Sequence, residues 1–182
     1  MDIRIVTLEP RHADIIPRLR QADVEEIRAM TGTPPELPVT YSIMTSYPGW
    51  AAEVNGRTEA VFGAGPGREL PDGGTVGVPW LVGSNEIAKH PVEFFRISMR
   101  IIGEMRKHYD LLENWVDARN VLSIRWLDWA GFTIEPPETA GAEGRLFHRF
   151  WMKGSVENVY AAGGGGRGHG NSNAGNGGEQ RG

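Results

Sequence analysis

Cysteine is absent from the 182 residues, which removes disulfide frameworks, cysteine-ligated metal sites and thiol nucleophiles together. Long apolar runs are missing as well. No stretch approaches membrane-spanning length, and the start, MDIRIVTLEPRH, carries charge where a signal peptide needs an apolar run. No Gly-x-Ser-x-Gly nucleophile elbow occurs. The five histidines, His12, His90, His108, His148 and His169, lack the i, i+4 spacing of a helical metal site. Positive charge is not in excess either: a formal net charge of −4 gives no general pull toward nucleic acid or anionic membrane, so either partner would need a local basic patch. The expectation is a soluble intracellular protein with no membrane partner, no specific nucleic-acid partner and no metal.

What is present divides the chain in two. Residues 1–155 have the composition of one domain, able to bury roughly two thirds of the surface exposed by the unfolded chain. Residues 156–182 form a Gly-rich tail. From Ala161 to Gly182, AAGGGGRGHGNSNAGNGGEQRG offers almost no apolar side chain to a core, so a flexible, disordered coil with a reach of roughly 25 Å is expected.

Along the domain, Ile3 to Leu8 reads as a strand stopped by Glu9-Pro10. Ala13 to Met30 carries a helical stripe from Ile15 to Met30 that Pro17 can split into two helices. Thr31 to Pro38, with three prolines, reads as irregular, and Tyr41 to Tyr47, ambiguous in pattern, fits one more helical turn before Pro48 stops it. Trp50 to Val54 and Arg57 to Ala64 flank Asn55-Gly56, the pair whose positive φ angles a type I′ hairpin turn requires. Gly63 to Pro71 reads as a loop. It leads to another strand and not to a helix, which excludes a dinucleotide fingerprint at its glycines. Thr75 to Val82 is the next strand, with Pro79 implying a bulge or a free edge. Pro91 then opens a long amphipathic helix that buries Phe94, Phe95, Ile97, Ile101, Ile102 and Met105. Its cations Arg96, Arg100 and Lys107, next to Glu93 and Glu104, read as a solvated face.

The run from Leu111 to Phe132, LLENWVDARNVLSIRWLDWAGF, packs a strand, a capped helix and a helix stop into one stretch. Leu112 to Val116 is the strand. Asn120 is a good N-cap, with Val121, Ile124 and Trp129 near helical spacing and Arg125 and Asp128 on another side. Gly131 fits the left-handed position after the helix, and Phe132 the hydrophobic residue that follows it. Phe132 to Ile134 and Leu146 to Met152 complete the set of strands, joined by a loop from Glu135 to Gly144.

Asn120, Ser123, Gly131 and Phe132 at this spacing resemble the closing block of the GNAT acyltransferase superfamily, N-x-x-A-x-x-x-Y-x-x-x-G-F. The order of elements along the domain is similar to that of the superfamily too. The resemblance implies an α/β fold: a mixed, mostly antiparallel sheet of about six to seven strands flanked by helices. The strands Thr75 to Val82 and Leu112 to Val116 would be neighbours that splay apart, and in the family the pantetheine arm of acetyl-CoA lies in that gap. Leu127 stands where many members have the tyrosine that protonates the departing thiolate. In the usual place of the diphosphate loop the chain reads LVGSNEIAKH, in which only Gly83 matches the glycine-rich pattern. Lys89 and His90 could meet an anion there, and Glu86 opposes one.

The resemblance therefore implies no catalytic residue and no cofactor, with acetyl-CoA as the alternative. Were acetyl-CoA bound, its contacts would be Trp80, Leu81, Gly83, Ser84 and Asn120. Trp80, Trp115, Trp126 and Trp129 are expected mostly in the core, Trp80 and Trp115 being the rings able to fill a closed cofactor cleft. Within the superfamily, GVPWLVGSNEIAKH and NWVDARNVLSIRWLDWAGFTI, with Arg20-Gln21-Ala22-Asp23 and VFGAGP, are similar to the GNAT-like internal virion proteins of short-tailed bacteriophages. That implies a protein made in the host cytoplasm and located in the virion, with other virion proteins as partners. A homo-oligomer is compatible with this reading. Two functions stand side by side: a virion or assembly protein using the fold as a scaffold, and an N-acetyltransferase acting on an amine.

Overall fold

The computed structural model describes residues 3–156. The tail beyond residue 156, and with it the expectation of disorder, lies outside the described residues. Eight strands run β1 (Ile3–Thr7), β2 (Gly49–Val54), β3 (Arg57–Glu69), β4 (Thr75–Gly83), β5 (Leu111–Asp117), β6 (Thr133–Ile134), β7 (Glu138–Ala140) and β8 (Arg145–Lys153). They form one sheet in the order β1-β2-β3-β4-β5-β8-β6, with β7 also on β8. Every pairing is antiparallel except β4 with β5.

The helices are α1 (Gln21–Thr31), α2 (Glu36–Thr45), α3 (Pro91–Met105) and α4 (Val121–Trp129), preceded by a 3-10 segment, Pro10–Arg18. Alternation along the strands sends successive side chains to opposite faces, and each face has its own core. Ala51, Val61 and Val82 pack with Ile15, Val39 and Ile43 under the 3-10 segment and α2. Ala52, Ala60 and Phe62 pack with Ile101, Ile102, Met105, Leu127 and Phe132 under α3 and α4. The central strand β3 is buried continuously from Thr58 to Ala64, as expected of a strand covered on both sides.

Local chemistry explains most boundaries. Asn55 and Gly56 have φ of 51° and 80°, both positive as the type I′ turn demands. Asn120 Oδ1 accepts the Ser123 amide at 3.3 Å and opens α4. At the other end Gly131 has φ 88°, its amide bonds Asp128 O at 3.0 Å and the Phe132 amide bonds Leu127 O at 3.1 Å. Together these are the paired bonds of a Schellman stop.

Four expectations need correction. The stretch from Thr31 to Pro38 is not wholly irregular, because α2 begins at Glu36 and Pro38 sits in its first turn, where a missing amide proton costs nothing. Gly63 to Pro71 is not a loop: β3 continues to Glu69, paired with β4 through Gly65↔Val78 and Pro66↔Gly77. The glycines serve close approach here, since a Cβ on Gly67 would lie 2.8 Å from Val76 O. An eighth strand, β7, lies within the expected loop from Glu135 to Gly144. On α4 the buried position is Leu127; Val121 and Trp129 face solvent, and Ile124 is half-buried.

Candidate functional site

β4 and β5 share only two ladder positions, Val76↔Leu111 and Gly77↔Leu112. The pairing ends because β4 turns away with β3, and Pro79 lies in the freed part. Its carbonyl faces β5, where Asn114 Nδ2 donates to it at 2.8 Å. The missing amide of Pro79 therefore falls on the side where no ladder partner exists, which answers the edge expected from the sequence. At the closed end Tyr109 packs so near Gly77 that a Cβ there would lie 2.5 Å from the ring.

The gap between the strands holds a cavity of about 290 Å³. Glu26, Met30, Pro38 and Ser42 line it from α1 and α2, while Ile97, Ser98, Ser123 and Trp126 line it from α3 and α4. One cavity walled by helices from both faces of the sheet must pass through the sheet where the strands part. Its walls are mainly aliphatic and aromatic, the make-up of small-molecule sites generally. Trp80 and Trp115 are half-buried walls of this space and do not fill it, so the cleft is open. None of Trp80, Trp115, Trp126 and Trp129 is fully buried, which corrects the expectation that most are core.

The residues singled out from the sequence separate in the structure. Trp80 and Leu81 line the cavity; Gly83, Ser84 and Asn120 do not. The Gly83 amide donates to Asp23 Oδ2 at 3.0 Å, and that carboxylate is held by the Arg20 guanidinium at 3.0 and 2.7 Å. The Ser84 amide donates to Glu59 O at 2.9 Å, its hydroxyl donates to the Glu59 carboxylate, and it accepts the Glu86 amide at 3.0 Å. Lys89 pairs with Glu86 at 2.7 Å, holding that carboxyl below its ordinary range. The turn from β4 to α3 is thus closed by the protein's own acidic groups, Asp23, Glu59 and Glu86. Leu127 is buried and stands in the cavity wall. The expected solvated face holds, with Arg96 and Arg100 exposed on α3 and Lys107, just beyond the helix, exposed and paired to Glu104 at 2.6 Å.

Glu26 was missed. It is half-buried on α1, faces the cavity, and accepts Asn120 Nδ2 at 2.8 Å. Burial pushes its carboxyl from 4.5 up to about 7; the Asn120 hydrogen bond and the Asp117 amide oppose the rise, and the charges of Asp23 and Asp117 add to it. Asp117, buried beneath it, is held below the usual carboxylate range by the Arg119 guanidinium. The signal was in the helical period: Asp23, Glu26 and Met30 recur at three and four residues and so share a face with the core. Among the described residues no group of three or more His, Asp or Glu side chains is placed to hold a metal ion.

No family model and no curated protein matches the chain. Solved structures do. An acetyltransferase of the GNAT family from Streptococcus pneumoniae superposes with a TM-score of 0.57 at 14% identity, covering 84% of this chain and 99% of its own. A candidate acetyltransferase from Salmonella typhimurium, solved with its cofactor acetyl-CoA, gives 0.61 at 15%, covering 84% and 94%. An aminoglycoside N(6′)-acetyltransferase from Legionella pneumophila gives 0.61 at 11%, with the same two coverages. At such identities the likeness establishes the fold: the chain has the mixed α/β architecture of GNAT acetyltransferases.

Proposed function

We propose that this chain uses the GNAT fold as a binding scaffold and not as a transferase, as a component of a short-tailed phage particle or of its assembly. The observation that carries the scaffold reading is the fate of the amides at the end of β4. A diphosphate grip needs backbone N–H groups turned toward the ligand. Here Gly83 and Ser84 spend theirs on Asp23 and Glu59, and a phosphate at the turn would meet the Asp23 carboxylate. The residues present do not fit the diphosphate of acetyl-CoA, and Leu127 has no proton to give a thiolate. The phage reading rests on the resemblance of GVPWLVGSNEIAKH and NWVDARNVLSIRWLDWAGFTI. It makes other virion proteins the partners, and the virion the final location after synthesis in the host cytoplasm.

Two measurements test it. Mass spectrometry of purified particles should find the chain inside them, and its absence there sinks the virion role. Acetyl-CoA at 100 times the dissociation constant of a working enzyme would stabilise the fold by about 2.7 kcal/mol. The expected shift in thermal midpoint with millimolar acetyl-CoA is nil, and a clear rise sinks the scaffold reading.

One observation favours the second reading, an N-acetyltransferase acting on an amine. Glu26 places a carboxyl that titrates near neutrality on the wall of a cavity lined by helices from both faces of the sheet. A group so tuned can hold an ammonium and take up its proton. Acetylation of a primary amine by the purified chain, abolished by Glu26→Gln, would establish that reading in place of the first.

A further inference from the structure

Helix α2 has two apolar faces where a surface helix ordinarily has one. Val39 and Ile43 enter the core. On the opposite side Leu37, Tyr41 and Met44, four and three residues apart, are 72%, 66% and 62% exposed, and Tyr47 just past the helix is 68% exposed. Glu36, at the start, is the one charged residue in the helix. The exposed apolar group on α4 is built differently: the Arg125 guanidinium lies 5.4 Å over the Trp129 ring, and Asp128 is exposed beside it, so charge interrupts that surface.

We propose that the α2 stripe is the interface of a two-fold homodimer of this chain. The two α2 helices lie antiparallel, Tyr41 against Tyr41 near the axis and Leu37 of each copy against Met44 of the other. Charge selects the occupant. A charged partner finds nothing to pair with along the stripe except Glu36, whereas a second copy presents the same uncharged surface, as an isologous contact requires. Charge also selects the direction. In the antiparallel pair the two Glu36 carboxylates stand about 15 Å apart, beyond the screening length of roughly 8 Å at physiological salt, while a parallel pair sets them side by side.

Area is sufficient. The four side chains offer on the order of 500 Å² per copy against the roughly 800 Å² per partner of a standard interface. Pro34, Thr40 and His108, all exposed, extend the surface, His108 being in edge contact with Tyr47 at 5.0 Å between ring centroids.

The full chain lacks cysteine, so single cysteines report the geometry directly. Light scattering on the wild type at 50 µM should give the mass of a dimer, and Tyr41→Glu that of a monomer with an unchanged far-UV spectrum. On oxidation, Tyr41→Cys should cross-link to itself. Leu37→Cys and Met44→Cys should each stay single but cross-link when mixed, because only then are the β-carbons within the roughly 4 Å that a disulfide spans. A wild type that is monomeric at 50 µM, or a Leu122→Cys control on α4 that cross-links as fast as Tyr41→Cys, overturns the interface. Cross-linking of Leu37→Cys to itself overturns the antiparallel arrangement.

Discussion

Asp23 and Gly83, sixty positions apart in the chain, meet at 3.0 Å, the buried carboxylate accepting the amide that ends β4. The same carboxylate takes both arms of the Arg20 fork, so one side chain ties α1, the segment before it and the sheet together. Asp23→Ala should cost about 2 to 4 kcal/mol, because it leaves a buried amide unmet and a largely buried guanidinium unpaired. Asp23→Asn keeps an acceptor for Gly83 and should cost roughly half as much. Urea unfolding of the two variants checks this, and equal losses would show that the amide contributes nothing.

Glu26 makes stability depend on pH in an unusual direction. Its carboxyl is raised in the folded state from 4.5 to about 7, so the fold binds this proton more tightly than the unfolded chain does. The contribution is most favourable below pH 4.5, falls as pH rises toward 7, and is fully lost above. The rise from 4.5 to about 7 sets a ceiling of about 3 kcal/mol. Because the side chain is half-buried, about 1 to 2 kcal/mol is the expected size. Glu26→Gln should therefore raise the thermal midpoint by roughly 3 to 6 °C at pH 8 and leave it unchanged at pH 4.5. The same gain at both pH values would separate the effect from ionisation.

The contrast between Asn120 and Glu26 shows what could be read in the sequence. The cap that Asn120 makes with Ser123 spans three positions, and the bonds of the stop at Gly131 and Phe132 span three and five, so neighbours in the chain decide both. The bond from Asn120 to Glu26 spans 94 positions, and nothing local announces it. Trp80 and Leu81 were placed at the cleft because β4 could be aligned with the superfamily order. Gly83 was singled out as the one glycine matching the diphosphate loop, with Ser84 beside it, yet the strand ends there and the two amides turn to Asp23 and Glu59. Gly65-Pro66-Gly67 misled for a further reason. Composition alone says loop, while the close pairing of β3 with β4 needs residues without bulk.

Phe132 tests the motif that the sequence displayed most openly. It is 5% exposed and meets Phe150 edge-on at 5.2 Å, and its amide closes the stop of α4. Phe132→Ala should cost about 3 to 5 kcal/mol, seen as a lower urea midpoint with an unchanged slope. Gly131→Ala removes no contact but forces a β-carbon onto a φ of 88°, and should cost about 1 to 2 kcal/mol. A larger loss for Gly131 than for Phe132 would mean that backbone geometry, and not burial, holds α4 against the sheet.

Ser98 tests whether the cavity is real space. It is buried on α3 in the cavity wall, and its hydroxyl donates to Phe94 O at 2.7 Å within its own helix, so deleting it strands no partner from another element. Leucine is the better helix former and puts three carbon atoms in place of the hydroxyl on a wall of the void of about 290 Å³. At about 24 cal/mol per Å³ of void removed, less the strain of fitting a branched chain beside Trp126, Ser98→Leu should stabilise the fold by about 0.5 to 2 kcal/mol. Thermal unfolding reads the sign directly. A loss of more than about 1 kcal/mol is what overpacking gives, and it would mean that β4 and β5 close on each other in solution and leave the cleft no room.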